Sequence, residues 1–240
     1  MQRILMVVSS RDRLGETATP TGAWLEELAA AYCVFVDSGR DVTIASPRGG
    51  RAPLDPLSLS DPWLTANGRR FLADASACRK LEQSTALADV VAGDFAAVYL
   101  VGGVATAWDF PDDSTLASIV GAMYRDARPV AGVCHGVLGL TAALDEAGRP
   151  IVVGRSVTGV SNAEEVATGF DKIVPVLPEV RLNSLGGRYS CAPPFEAHVC
   201  ADGNLFTGQN PASAAPLAEA VLARLDATDL NASRPAKMAT

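Results

Sequence analysis

The sequence is poor in the residues that build metal centres and disulfide frameworks. Only two of its 240 residues are histidine and no C-x-x-C pair occurs, so we expect no metal site. The five cysteines lie far apart along the chain, at Cys33, Cys78, Cys134, Cys191 and Cys200. Their odd number and wide scatter argue against a disulfide framework and favour the reducing cytoplasm as the location.

Basic tracts and long apolar runs are missing as well. The formal net charge is −7 and no lysine- or arginine-rich tract occurs, so we expect no nucleic-acid partner. No apolar run reaches the roughly 18 to 20 residues that span a bilayer, so we expect no membrane partner. The first apolar run, in "MQRILMVVSSRD", is too short for a signal peptide and predicts a β-strand instead.

Segments typical of strands and of helices alternate along the chain. Strand-like runs occupy 3–10, 41–47, 95–103 and 128–134, with later strand ends in 153–160 and 205–211. Helix-like segments occupy 22–39, 64–90, 112–127, 135–144 and 213–227. This alternation predicts an α/β fold with a doubly wound, mostly parallel sheet sandwiched by helices. We expect one domain over 1–228 and a polar, disordered tail over 229–240.

Polar clusters follow three of the predicted strand ends, after residues 101, 133 and 159. Ligands of doubly wound sheets bind beyond the carboxyl ends of the strands, where such clusters meet. The sequence therefore predicts one site built from these three segments.

Cys134 and His135 lie at the second of these ends, in "RPVAGVCHGVLGL". A thiol at a tight strand-to-helix turn is thrust out of the sheet, and the helix N-terminus favours its thiolate form. Gly136 permits the close turn, as in nucleophile elbows. A base beside a thiol, oriented by a carboxylate, is the logic of a catalytic triad. The alternative interpretation is a buried structural thiol followed by a solvent-facing histidine.

Four stretches of the sequence, one of them around Cys134, carry a resemblance that covers about residues 3 to 225. In order along the chain they are "AVYLVGGVATAWDFPDD", "PVAGVCHGV", "VTGVSNAEEVATG" and "NLFTGQNPASA". Together they resemble the PfpI family, and within it the branch of heat-shock chaperones and glyoxalase III enzymes. The opening "TGAWLEEL" fits the same branch. The resemblance implies a flavodoxin-like fold and a homodimer.

The resemblance also implies the roles of the site residues. The nucleophile of the family falls on Cys134 and the triad histidine on His135. The acidic partner falls in "SNAEEV", on Glu165, with Glu164 as the alternative in the neighbouring register.

A second acidic residue, which contacts the thiol in this family, falls on Glu27, with Glu26 as the alternative. The helical spacing from Trp24 supports Glu27, and Glu26 is expected on a solvated face. A carboxyl beside a cysteine is expected to stay protonated, because desolvation and like-charge repulsion both raise its pKa.

Backbone amides after the third strand are the candidates for holding an oxyanion, at Gly102, Gly103 and Val104. Trp108 is a candidate wall of the substrate pocket. The sequence departs from the family at Val104-Ala105, where the branch usually has His-Gly, and at Val137, which replaces a proline. The departure at Val104 makes the pocket wall apolar and predicts a bulkier, more apolar substrate.

The function that the resemblance implies is a cofactor-independent glyoxalase III, which converts the small carbonyl compound methylglyoxal to lactate through Cys134 without glutathione. A first alternative is a holdase chaperone or stress protein with a redox-sensing cysteine. A second alternative is a relative that hydrates or hydrolyses a C–N bond. His198 is expected at the rim or in a structural role, and Cys191 and Cys200 in the packing.

Overall fold

A seven-stranded sheet forms the centre of the molecule in the computed structural model, which describes residues 2–232, with side chains as far as 228. The strands are β1 (Arg3–Val7), β2 (Asp41–Ser46), β3 (Thr85–Ala86), β4 (Ala97–Leu100), β5 (Val130–Val133), β6 (Ser156–Val157), β7 (Arg188–Tyr189), β8 (Val199–Asp202) and β9 (Leu205–Gly208). The order in the sheet is β3-β2-β1-β4-β5-β9-β8, and β6 pairs with β7 in a separate ribbon. Only the edge pair β8–β9 of the sheet is antiparallel among the described residues. The mostly parallel sheet is confirmed.

Helices cover both faces of the sheet. Those in the described part of the chain are α1 (Leu25–Asp37), α2 (Ala66–Ala73), α3 (Ala75–Glu82), α4 (Thr106–Asp109), α5 (Ser114–Arg125), α6 (Asn162–Thr168), α7 (Pro178–Ser184) and α8 (Ala214–Ala232). Alternate residues of β1 explain the two layers: Ile4 and Met6 face the core under α1 and α8, and Leu5 and Val7 face the core under α5. No helix between residues 2 and 232 is long and apolar enough to cross a membrane.

The helix predicted over 64–90 is wrong in its extent, because this stretch holds two short helices, α2 and α3, followed by strand β3. Asp74 separates the two helices. Its carboxylate accepts hydrogen bonds from the backbone N–H of Ser76 at 2.7 Å and of Ala77 at 3.2 Å, which caps α3.

The segment after β5 also differs from the prediction, since Cys134–Leu140 forms a 3₁₀ helix and not an α-helix over 135–144. Gly136 and Gly139 within it are weak α-helix formers. A side chain at Gly136 would come within 2.5 Å of the Leu100 carbonyl oxygen, so this segment packs directly onto strand β4.

Two later segments complete the comparison. The strand predicted in 153–160 pairs with β7 outside the main sheet. Helix α8 continues to Ala232, beyond its predicted end at residue 227, and residues 233–240 of the predicted tail lie outside the described residues.

Candidate active site

Cys134 occupies the sharp turn between β5 and the 3₁₀ helix. Its φ of 55° lies in the left-handed region, which costs a non-glycine residue on the order of 1–3 kcal/mol. The side chain is buried at the carboxyl edge of the sheet. This is the tight turn that the sequence predicts, and it places the Cys134 side chain next to Gly102, which follows β4, and next to Glu27 of α1.

His135 and Glu165 extend from this thiol as a chain of close contacts. Nδ1 of His135 lies 3.4 Å from the Cys134 sulfur, and Nε2 lies 2.6 Å from Oε1 of Glu165. Both side chains are buried. The second of these contacts is a close ion-pair distance and not an aligned hydrogen bond, since neither Nε2 of His135 nor either Glu165 oxygen has a hydrogen-bond partner among the described residues. The thiol, imidazole and carboxylate are therefore arranged in the order that a catalytic triad requires.

Glu164, the alternative in the neighbouring register, is occupied elsewhere. It completes a capping box with Ser161 at the start of α6. It also accepts hydrogen bonds from Asn210 Nδ2 at 2.8 Å, Gln209 Nε2 at 3.0 Å and the Phe195 N–H at 2.8 Å. Burial by itself raises the pKa of Glu164, but these hydrogen bonds outweigh it and the pKa is lowered. The carboxylate of Glu164 thus holds α6 in place.

Glu27 points from α1 to the other side of Cys134. Desolvation by burial raises its pKa from 4.5 to about 8. The Cys134 thiol and the Gly102 amide are close enough to lower that pKa in part, although neither oxygen of Glu27 accepts an aligned hydrogen bond among the described residues. Glu27 is therefore protonated at neutral pH.

Glu26 faces away from the thiol, toward helix α2. Its carboxylate accepts hydrogen bonds from the Thr65 hydroxyl and, at 3.3 Å, from Asn67 Nδ2. Glu26 is half-buried, so the expected solvated face is instead a contact between α1 and the start of α2.

The pKa of the Cys134 thiol is raised, and the predicted preference for a thiolate is wrong. Burial is the largest cause, and the negative charges that Glu27 and Glu165 carry when ionised add to it. The His135 amide lowers the pKa by a smaller amount. The resting side chain is thus a neutral thiol, and it needs a neighbouring base to accept its proton.

Free backbone amides lie at the end of β4, next to the thiol. Neither Gly103 nor Val104 donates its N–H to any described residue. Gly103 has a φ of 117°, and a side chain there would come within 2.7 Å of the Trp24 nitrogen, so glycine alone fits. The Gly102 carbonyl accepts a hydrogen bond from that nitrogen at 3.1 Å, which fixes the turn. This turn can offer two N–H donors to a developing oxyanion.

A cavity of about 420 Å³ opens above these groups. Its polar side chains include those of Glu27, Cys134, His135 and Glu165, and Gly103 and Val104 line it as well. Much of the remaining wall is apolar, and its large side chains are Trp24, Leu57, Trp63, Val160, Phe170 and Phe195. The sequence did not assign these side chains to the site, because they come from loops and helix ends with no periodic signal.

Other candidate residues lie elsewhere. Trp108 does not line this cavity; its ring packs against Gly15 and under the Arg11 guanidinium, 5.6 Å from the ring centroid. His198 hydrogen-bonds through Nε2 with the Ser190 hydroxyl at 2.9 Å. Cys191 is exposed, so its predicted packing role is wrong, whereas Cys200 is buried. No group of three or more histidine, cysteine or acidic side chains within residues 2–228 could hold a metal ion.

The sheet order and the turn at Cys134 define a flavodoxin-like sandwich protein. The chain belongs to the DJ-1/PfpI family, whose model matches residues 19–224. It is 27% identical to the glutathione-independent glyoxalase HSP31 of Saccharomyces cerevisiae, over 88% of this chain and 92% of that one. Rapid Encystment Protein 24 KDa of Francisella tularensis is 35% identical, with a TM-score of 0.89 over 94% and 99% of the two chains. Glyoxalase III of Candida albicans is 23% identical and shares the fold, with a TM-score of 0.84 over 92% of this chain and 96% of that one.

Proposed function

We propose that the chain is a glutathione-independent glyoxalase that converts methylglyoxal to lactate through Cys134. The observation that carries the proposal is the chain of contacts from the Cys134 sulfur through His135 to Glu165 inside the cavity. The glutathione-independent glyoxalases among the relatives support the reaction class.

The first step is attack of Cys134 on the aldehyde carbon. Because the thiol is neutral at rest, its proton passes to Nδ1 of His135 as the carbon–sulfur bond forms. The imidazolium that results is paired with Glu165. The amides of Gly103 and Val104 hold the oxygen, which takes up the proton from His135 to give a hemithioacetal.

The second step moves a hydrogen between the two carbons. Neutral His135 removes the proton from the former aldehyde carbon, giving an ene-diol, and returns it to the former ketone carbon. Protonated Glu27 relays protons between the oxygens. The product is a thioester of the 2-hydroxy acid; water adds to it, the carbon–sulfur bond breaks, and the sulfur regains its proton.

The test is lactate formation from methylglyoxal in buffer without glutathione. Cys134→Ser should lose activity to background with an unchanged melting temperature. Cys191→Ser, which changes an exposed cysteine outside the cavity, is the matched control and should keep full activity. Full turnover by Cys134→Ser would rule out this nucleophile.

The proposal also includes a homodimer and a cytoplasmic location, with sedimentation velocity as the test of the dimer. Two other functions stay predictions. If the chain acts as a holdase, the Cys134→Ala variant should suppress the aggregation of other proteins as well as the native chain does. If the native chain turns over methylglyoxal no faster than Cys134→Ala does, hydration or hydrolysis of a C–N bond becomes the better account of the function.

A further inference from the structure

The cavity is large for the substrate of the proposed function. Its volume of about 420 Å³ lies in the roughly 300–1,000 Å³ range of pockets that enclose drug-sized ligands. A three-carbon ketoaldehyde attached to Cys134 is much smaller than this volume, so it would leave most of the apolar wall without a contact. Surface that stays unused by the ligand contributes nothing to transition-state binding.

Two tryptophans of that apolar wall contact each other. The rings of Trp24 and Trp63 meet edge to face, with centroids 5.7 Å apart at an interplanar angle of 74°. Leu57, Trp63 and Phe195 are 55%, 48% and 52% exposed, so they leave a large apolar surface uncovered at the mouth.

Hydrogen bonds hold this wall in place. Asp55 accepts from the Leu57 N–H at 3.0 Å and from the Thr21 hydroxyl at 3.0 Å. The Ser58 hydroxyl accepts from the Leu25 N–H at 3.1 Å, which ties the loop to the start of α1. The loop that carries Leu57 is therefore fixed before a ligand binds, so a ligand does not have to order this part of the wall.

The charges around the cavity define the ligand further. No lysine or arginine of the described chain lines it, and its acidic side chains are Glu27, Glu164 and Glu165. A carboxylate or phosphate on the substrate would find no cation. An ammonium group would find Glu164 hydrogen-bonded and Glu165 paired with His135, so neither is free to bind it. The substituent that this cavity favours is neutral.

We propose that the preferred substrate is an α-oxoaldehyde whose ketone carbon carries a neutral aryl or branched alkyl group, seated against Trp24 and Trp63. This inference rests on the proposed function and uses the same reaction at Cys134. The carbon–sulfur bond forms at the aldehyde, and the product is the corresponding 2-hydroxy acid.

The experiment compares kcat/KM for phenylglyoxal and methylglyoxal. Chromatography of the 2-hydroxy acid is the readout, because adducts of the dicarbonyl with arginine side chains do not contribute to it. Phenylglyoxal should be favoured by about tenfold to a hundredfold, the effect of burying a phenyl-sized group. Trp63→Ala should lower the phenylglyoxal-to-methylglyoxal ratio about tenfold. Val91→Ala, another exposed apolar residue but outside the cavity, should leave both constants unchanged.

The outcomes separate the two proposals. Suppose that methylglyoxal turnover depends on Cys134 but the phenylglyoxal-to-methylglyoxal ratio of kcat/KM is one or less, or is unchanged in Trp63→Ala. Either result overturns the proposed substrate class and leaves the proposed glyoxalase activity intact. Turnover of neither dicarbonyl above the Cys134→Ser background overturns the proposed function, and this inference with it.

Discussion

Nε2 of His135 lies 2.6 Å from Oε1 of Glu165, whereas the adjacent Glu164 caps helix α6 and binds Asn210. Two neighbouring carboxylates of the same type therefore differ in what they can do. In the proposed mechanism Glu165 stabilises an imidazolium on His135 during proton transfer, whereas the hydrogen bonds of Glu164 fix the start of α6, which carries Glu165.

The first prediction separates these two roles. Glu165→Gln should lower kcat/KM for the dicarbonyl by about a hundredfold or more, since general acid–base catalysis contributes roughly 10²–10⁴. Its melting temperature should change little. Glu164→Gln should instead lower the melting temperature by several degrees, because loss of a buried hydrogen-bonded charge costs about 1–3 kcal/mol. If both variants changed kcat/KM and the melting temperature equally, the assignment of proton transfer to Glu165 and of a structural role to Glu164 would be contradicted.

The second prediction concerns stability against pH. Burial raises the Glu27 pKa from 4.5 to about 8, so between these values the folded state keeps a proton that the unfolded state has lost. The free energy of unfolding should therefore fall as pH rises from 4.5 to 8, by up to about 1.4 kcal/mol per pH unit from this group. Glu27→Gln should remove that contribution. Urea denaturation at several pH values measures how the free energy of unfolding changes with pH in the native chain and in Glu27→Gln. The same pH dependence in both would contradict a buried, neutral Glu27 carboxyl.

The third prediction concerns the reactivity of Cys134. The negative charge of Glu27 is the second cause of the raised thiol pKa, after burial. At pH 9, where Glu27 is ionised, Glu27→Gln should therefore speed alkylation of Cys134 by iodoacetamide. Peptide mass spectrometry resolves the sites, and exposed Cys191 serves as the internal reference. Slower or unchanged alkylation of Cys134, relative to Cys191, would contradict the coupling.

The fourth prediction tests the close packing between β4 and the thiol. A side chain at Gly102 would overlap the Glu27 carboxylate and come within 2.6 Å of the Val133 carbonyl. Gly102→Ala should therefore displace Glu27 and lower stability by about 1–3 kcal/mol, as overpacking does. Gly93→Ala places its methyl group in open space and is the matched control. Similar melting temperatures for the two variants would contradict the close packing of Gly102 against Glu27 and Val133.

Local pattern predicted much of this site. The apolar run into Cys134 and the glycine at 136 indicated a tight turn after a buried strand, and that turn is present. Helical spacing from Trp24 favoured Glu27 over Glu26, and the structure places Glu27 toward the thiol. These features depend on neighbours within a few residues, which a sequence displays directly.

Other features depend on parts of the chain that meet only in the fold. The direction of the Cys134 pKa shift is set by burial and by two glutamates from distant helices, so the turn alone gave the wrong sign. Trp63 and Phe195 line the same cavity, although both come from irregular segments of the chain that show no periodicity. Trp108 follows the glycine turn closely in sequence, yet the short helix α4 directs it toward Arg11.

The central claim is that Cys134 forms a bond to the aldehyde carbon. Its most direct test is mass spectrometry of the native protein and of Glu165→Gln, each quenched with acid at intervals after mixing with methylglyoxal. The account predicts that the peptide containing Cys134 gains the mass of one dicarbonyl, and that this gain decays as lactate forms. Cys134→Ser should show no such adduct. Lactate formation by the native protein with no adduct on Cys134 at any quench time would contradict the account.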